Sequence, residues 1–156
     1  MTESTRPPAT DNIELERLVP YLVFRISRRL NANVSTQMRD EGVTIHRWRV
    51  LSVLADKGPC SLSEVARITV LGQSVSSRVA DQMVRDDLVR RTVSGVDRRA
   101  TTLSLTPRGK ALFDRLWPLY SEHGRRAVES LSENEQRTLV RLLRKVLDGM
   151  DSEAAP

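Results

Sequence analysis

Ser61-Leu62-Ser63-Glu64-Val65-Ala66-Arg67-Ile68, then Gln73-Ser74-Val75-Ser76-Ser77-Arg78-Val79, then Leu88-Val89-Arg90-Arg91-Thr92-Val93 decide how this 156-residue chain folds. Ser61 and Glu64 stand three apart, the spacing at which a serine caps a helix and a glutamate reaches back to it, so a short helix opens there. A break near Val70–Gly72 separates it from a second helix, roughly Gln73 to Asp86. Val75, Val79, Met83 and Leu88 form the inner stripe of that second helix. Its other face carries Gln73, Ser74, Ser77, Arg78, Asp81, Gln82 and Arg85. Two β-rich runs, 88–93 and 99–105, flank the turn Ser94-Gly95-Val96-Asp97 and predict a hairpin.

Outside this centre the pattern is helical. Residues 1–10 are polar, with Pro7 and Pro8, and are expected to be a disordered tail. Asp11 or Asn12 can cap a long helix whose stripe is Leu15, Leu18, Leu22, Ile26 and Leu30; Pro20 either kinks it or marks its true start. Thr44 caps another helix with Ile45, Trp48, Leu51 and Leu54 inside, stopped by Gly58-Pro59. Thr106-Pro107 begins the next, with a bend expected at Pro118 and Gly124. Ser132-Glu133-Asn134-Glu135 opens a last, leucine-rich helix expected to end at Gly149. The expected organisation is a helix over 11–42, a helix-turn-helix and hairpin lobe over 43–105, helices over 106–149 and a tail over 150–156. The class is mainly α with a small β-hairpin (α+β).

Composition narrows the function. Hydrophobic residues are 39% of the chain and charged residues 29%, which suits a globular protein, and no apolar run reaches the roughly 18 residues of a membrane span. Without a secretory signal the expected location is the cytoplasm. One cysteine and two histidines make a metal site or a disulfide framework unpromising. There is no Gly-rich phosphate loop and no Gly-x-Ser-x-Gly elbow, so neither an enzyme nor a cofactor is expected. The net charge is +5, and it is concentrated: Arg67 to Lys110 holds nine bases against four acids, while the rest is neutral. A localised excess of this kind points to a polyanion partner.

Short helix, tight turn, second helix and hairpin is the order of a winged helix-turn-helix. In that arrangement the second helix enters the major groove, which places Gln73, Ser74, Ser77 and Arg78 where base edges are read. Glutamine can pair with adenine and arginine with guanine through two hydrogen bonds each. At the hairpin tip, Asp97-Arg98-Arg99 suits a wing whose arginine enters the narrow minor groove, with Asp97 orienting Arg99. The apolar stripes of the first and last helices exceed what the lobe can cover. A two-fold contact with a second copy, and hence a pseudo-palindromic operator, accounts for them; an intrachain bundle is the alternative.

Trp48-Arg49-Val50-Leu51, Leu62-Ser63-Glu64-Val65-Ala66, Ser77-Arg78-Val79, Asp87-Leu88-Val89-Arg90-Arg91, Asp97-Arg98-Arg99 and Leu105-Thr106-Pro107-Arg108-Gly109 together resemble the MarR family of bacterial transcription regulators over about residues 13–148. The resemblance implies a homodimer built on the first and last two helices, and repression of transcription relieved by a small molecule. By position it assigns Gln73, Ser74, Ser77 and Arg78 to the major groove, Arg99 to the minor groove and Arg98 to phosphates. The chain departs from the pattern at Val70, where the turn commonly has glycine, and at Ser76, where a buried apolar residue is usual. Family ligands are often phenolic or carboxylate, and Tyr21, Arg25, His46 and Trp48 are the candidate effector contacts, offering stacking surface and a cation.

Two other functions remain open on sequence. Cys60, just ahead of a helix N-terminus that could lower its pKa, could make the protein a redox-sensing regulator. A winged helix can also serve as a protein-assembly module without operator specificity.

Overall fold

The computed structural model describes residues 14–93 and 101–153, in the order one-turn helix (Leu15–Arg17), α1 (Val19–Arg39), α2 (Ile45–Lys57), β1 (Cys60–Ser61), α3 (Leu62–Thr69), α4 (Gln73–Arg85), β2 (Val89–Val93), β3 (Thr101–Leu105), α5 (Pro107–Ala127) and α6 (Glu133–Glu153). Pro20 lies in the first turn of α1, where its missing N–H leaves no bond unmade, so it marks the start of the helix. Asp11 and Asn12 lie outside the described residues.

The predicted caps are in place. Thr44 Oγ1 accepts from the Arg47 N–H at 3.3 Å, and Gly58 closes α2 at φ +74°, a conformation glycine adopts without strain. Ser61 Oγ accepts from the Glu64 N–H at 3.1 Å. Ser132 and Glu135 bond in both directions, 2.8 Å from the Ser132 N–H to the carboxylate and 3.4 Å from the Glu135 N–H to the hydroxyl.

The hairpin gains a third strand. β1 pairs antiparallel with β3, Cys60 opposite Leu103, and β3 pairs with β2 from Val89 opposite Leu105 to Val93 opposite Thr101. This sheet, α2 and the inner faces of α3 and α4 enclose the core: Trp48, Leu51, Val65, Met83, Val89 and Leu103 are almost wholly buried. α1 reaches that core only through its second half, at Val34 and Met38, while Leu22, Val23, Phe24 and Ile26 stay exposed.

α5 continues as a helix through Pro118 and Gly124, the positions at which a bend is expected. α6 continues past Gly149 to Glu153, so the expected tail over 150–156 starts inside a helix. No described residue of α6 is buried, and Leu142, Leu143, Val146, Leu147 and Met150 all face outward. No described residue of the chain covers this stripe with an intrachain bundle.

Candidate nucleic-acid interface

The helix-turn-helix is held at a tight angle by its turn. Val70 ends α3 in the left-handed region (φ 54°, ψ 34°), its N–H and that of Leu71 bonding back to Arg67 and Ala66 carbonyls. Val70 itself is 85% exposed, so the strain is not offset by burial. Ser76, where an apolar residue was the usual choice, is fully buried and its hydroxyl donates to the Leu71 carbonyl at 3.4 Å, tying α4 to the turn.

This turn leaves Gln73, Ser74 and Arg78 exposed on the first half of α4, with Ser77 half-buried beside them. Gln73 Nε2 donates to Ser63 Oγ at 3.4 Å and Arg78 Nε to the Ser74 carbonyl at 3.4 Å, long bonds that cost little to exchange. Arg78 makes no ion pair among the described residues. Two of the acids in the basic segment are already engaged elsewhere: Asp81 pairs with Arg91 at 2.9 Å, and Asp86 pairs with Arg47 of α2.

Arg91 is a residue the sequence reading missed in its structural role. It lies on β2, its Nε and one Nη are buried without a partner, and its pair with Asp81 braces the hairpin against α4. Alternation along the strand, with Arg90 outward, is the signal that would have found it. Asp97, Arg98 and Arg99, the expected wing tip, lie outside the described residues.

Of the four effector candidates, Tyr21 and Arg25 lie together on α1. Arg25 stands over the Tyr21 ring at 5.6 Å and pairs with Glu16 at 3.8 Å. His46 is exposed on α2. Trp48, expected as stacking surface for a ligand, is 1% exposed and stacks instead on Phe113 (5.3 Å, 10°) and Tyr120 (5.0 Å) of α5; it is core. Two cavities lie elsewhere. A polar cleft of about 690 Å³ between the α1–α2 turn, the end of α4 and α5 is crossed by the Arg47–Asp86 and Arg115–Glu41 ion pairs. An apolar one of about 480 Å³ opens between α2, α3 and α5. None of Tyr21, Arg25, His46 and Trp48 lines either.

Cys60 is buried in β1, and burial together with the Glu64 charge pushes its thiol up rather than down. The helix N-terminus expected to favour the thiolate is outweighed by desolvation. No group of three His, Cys, Asp or Glu able to hold a metal occurs among the described residues, and no helix there is long and apolar enough to cross a membrane.

A family model described as MarR family matches residues 41–100. The chain is 26% identical to the transcriptional repressor IacR of Pseudomonas putida, over 96% of this chain and 89% of that protein. A solved MarR-family transcriptional regulator from Silicibacter pomeroyi is 34% identical, covering 86% of this chain and 91% of its own, with a TM-score of 0.80. Bordetella bronchiseptica BpsR, solved in a study of how 6-hydroxynicotinic acid regulates its DNA binding, is 29% identical over 82% of this chain and 97% of that one, with a TM-score of 0.74.

Proposed function

Since the chain belongs to the MarR family of transcription regulators, we propose that it is a homodimeric repressor, released from a pseudo-palindromic operator by a small phenolic or carboxylate ligand. The observation that carries this reading is the exposed first half of α4, where Gln73, Ser74 and Arg78 sit side by side with no competing ion pair among the described residues. Arg98 and Arg99 extend that surface as the wing tip on the strength of the sequence, with Asp97 orienting Arg99. Such a protein works in the cytoplasm, where its operator is.

Dimerisation is supported by α6, whose apolar stripe has no cover among the described residues, and by the exposed first half of α1. Two stripes of this kind joined about a two-fold axis set half-sites about 10 bp apart, centre to centre. Ligand release is supported by BpsR, which 6-hydroxynicotinic acid regulates. On this chain Arg25 and Tyr21 are the candidate contacts that lie together, with His46 exposed on the neighbouring helix.

Footprinting on DNA flanking the protein's own gene, with and without aromatic acids, tests the reading. A protected pseudo-palindrome whose occupancy falls steeply with salt is the expected result. Binding that is insensitive to salt and indifferent to sequence overturns it in favour of an assembly module.

A further inference from the structure

We propose that the polar cleft between the α1–α2 turn, the end of α4 and the start of α5 is a binding site for a phosphorylated sugar. Its charges do not cancel. Arg47 pairs with Asp86, and Arg115 with Glu41 at 2.7 Å, which leaves Arg85, Arg108 and Asp87 of the lining without an ion pair among the described residues. All three are exposed, so two guanidinium forks and one carboxylate stand open to a ligand. A guanidinium offers parallel N–H donors that match phosphate oxygens, so Arg85 and Arg108 together suit a dianionic phosphate. A carboxylate accepts hydrogen bonds and repels a second anion, so Asp87 suits a hydroxyl. The volume of about 690 Å³ is larger than a bare phosphate needs and lies within the range of small-molecule sites. Among the described residues no aromatic side chain lines the cleft, so the phosphate's companion is a polyol rather than a stacked ring.

The corner that presents these groups is assembled before any ligand arrives. Asp87 takes the left-handed conformation (φ 55°) just after α4, and its carbonyl accepts from the Thr106 hydroxyl at 2.6 Å. Thr106 also caps α5, so Asp87 and Arg108, two residues past the cap, are held at one junction. A non-glycine residue in that conformation is uncommon, and such residues concentrate at ligand clamps and switch regions. Arg47 adds a donor still in want of an acceptor: its Nε is buried without a partner. Duplex phosphates are another source of the same anion, and the poorer fit. Arg85 closes α4 twelve residues beyond Gln73, ~18 Å along the axis from the end proposed to meet bases. The site is also separate from the aromatic-acid effector proposed above. Tyr21, Arg25 and His46 lie outside the cleft, and binding here needs neither operator nor dimer.

The test is calorimetric titration of the full-length protein with glucose 6-phosphate and ribose 5-phosphate, with glucose, inorganic phosphate and 4-hydroxybenzoate as controls. Saturable binding is expected for both phosphorylated sugars, undisturbed by 4-hydroxybenzoate. It should be weaker by about tenfold or more for glucose and for inorganic phosphate, which each lack one recognised feature. Arg85→Gln and Arg108→Gln, at exposed positions that do not threaten folding, should each weaken binding by about tenfold, whereas Arg144→Gln on α6 should leave it unchanged. Asp87→Asn keeps the left-handed conformation accessible and removes the charge, so it should narrow the preference for a sugar phosphate over inorganic phosphate. No saturable binding of either sugar phosphate overturns the proposal, as does binding that survives the two arginine substitutions combined. Equal affinity for inorganic phosphate also overturns it, reducing the cleft to a bare anion site, and displacement by 4-hydroxybenzoate gives the cleft to an aromatic acid instead. A shallower salt dependence of binding to a random duplex in the two arginine variants assigns those guanidinia to the DNA backbone and overturns it as well.

Discussion

Gly109, in the first turn of α5, lies hard against the backbone of Leu88 at the root of the wing: a Cβ at Gly109 would come within 2.9 Å of the Leu88 carbonyl carbon and closer still to its oxygen. The approach is held by Thr106, whose N–H donates to that same Leu88 carbonyl at 3.1 Å and whose hydroxyl donates to the Asp87 carbonyl at 2.6 Å. Helix propensity alone would favour alanine over glycine by about 1 kcal/mol. Here the clash is with backbone, which cannot swing aside, so Gly109→Ala is expected to destabilise by about 1–3 kcal/mol net. Gly124, in the same helix with nothing within 4 Å of an added methyl, is the control: Gly124→Ala should stabilise by up to about 1 kcal/mol. Chemical denaturation of both variants checks the opposite signs.

Val70→Gly should raise stability. A β-branched residue in the left-handed region costs about 1–2 kcal/mol, and exposure of 85% leaves almost no burial to lose. A lower unfolding midpoint for Val70→Gly than for the parent would show that the turn is not strained.

At the operator, Arg78→Ala should cost about 1–3 kcal/mol on the cognate site and far less on random DNA. Arg78→Lys keeps the charge but not the paired hydrogen bonds, so it should lose base preference while retaining the salt dependence. Competition assays against random DNA measure both, and equal losses on the two DNAs would remove Arg78 from base readout.

If α6 is the dimer seam, a charge in its stripe should split the assembly. Leu147→Glu, exposed in the single chain and therefore harmless to its core, should sediment as a monomer and lose cooperative operator binding. A dimer that survives it would move the interface off this stripe.

The hydrogen bonds from Arg125 and Arg126 hold the Glu122 carboxyl down at about 2. A depressed carboxyl contributes above its unfolded-state value and loses that contribution as pH falls towards the folded one. The interaction should therefore persist throughout the neutral range and fade only between the ordinary glutamate range and about 2. Carboxyl NMR titration should show that low midpoint, and Arg125→Ala together with Arg126→Ala should return it towards the ordinary value.

How much of this could be read from residues alone depends on how local the cause is. The Thr44, Ser61 and Ser132 caps, the Gly58-Pro59 stop and the hairpin runs are set by neighbours within four residues, and each lies where its pattern predicts. β1 is only Cys60–Ser61 and exists because Leu103 and Thr102 come alongside, about forty positions later, which no window on the sequence sees. Gly149 reads as a stop but stays helical in α6. For the site, exposure of Gln73, Ser74 and Arg78 followed from helical periodicity. Trp48 was ambiguous because a tryptophan on an inner stripe can face a ligand or the core, and only its rings' partners on α5 decide that it is core.

With its first turn tied to Asp87 and Leu88, α5 is a rod of 21 residues, about 30 Å long, rooted at the end of the recognition helix. Such a rod works as a lever arm. A tilt of about 5° at one end displaces the other by about 2.5 Å, several times the roughly 0.5 Å tolerance of a hydrogen bond to a base edge. In the proposed dimer, very small adjustments around Trp117 or Tyr120 are therefore enough to put a matched pair of half-sites out of reach.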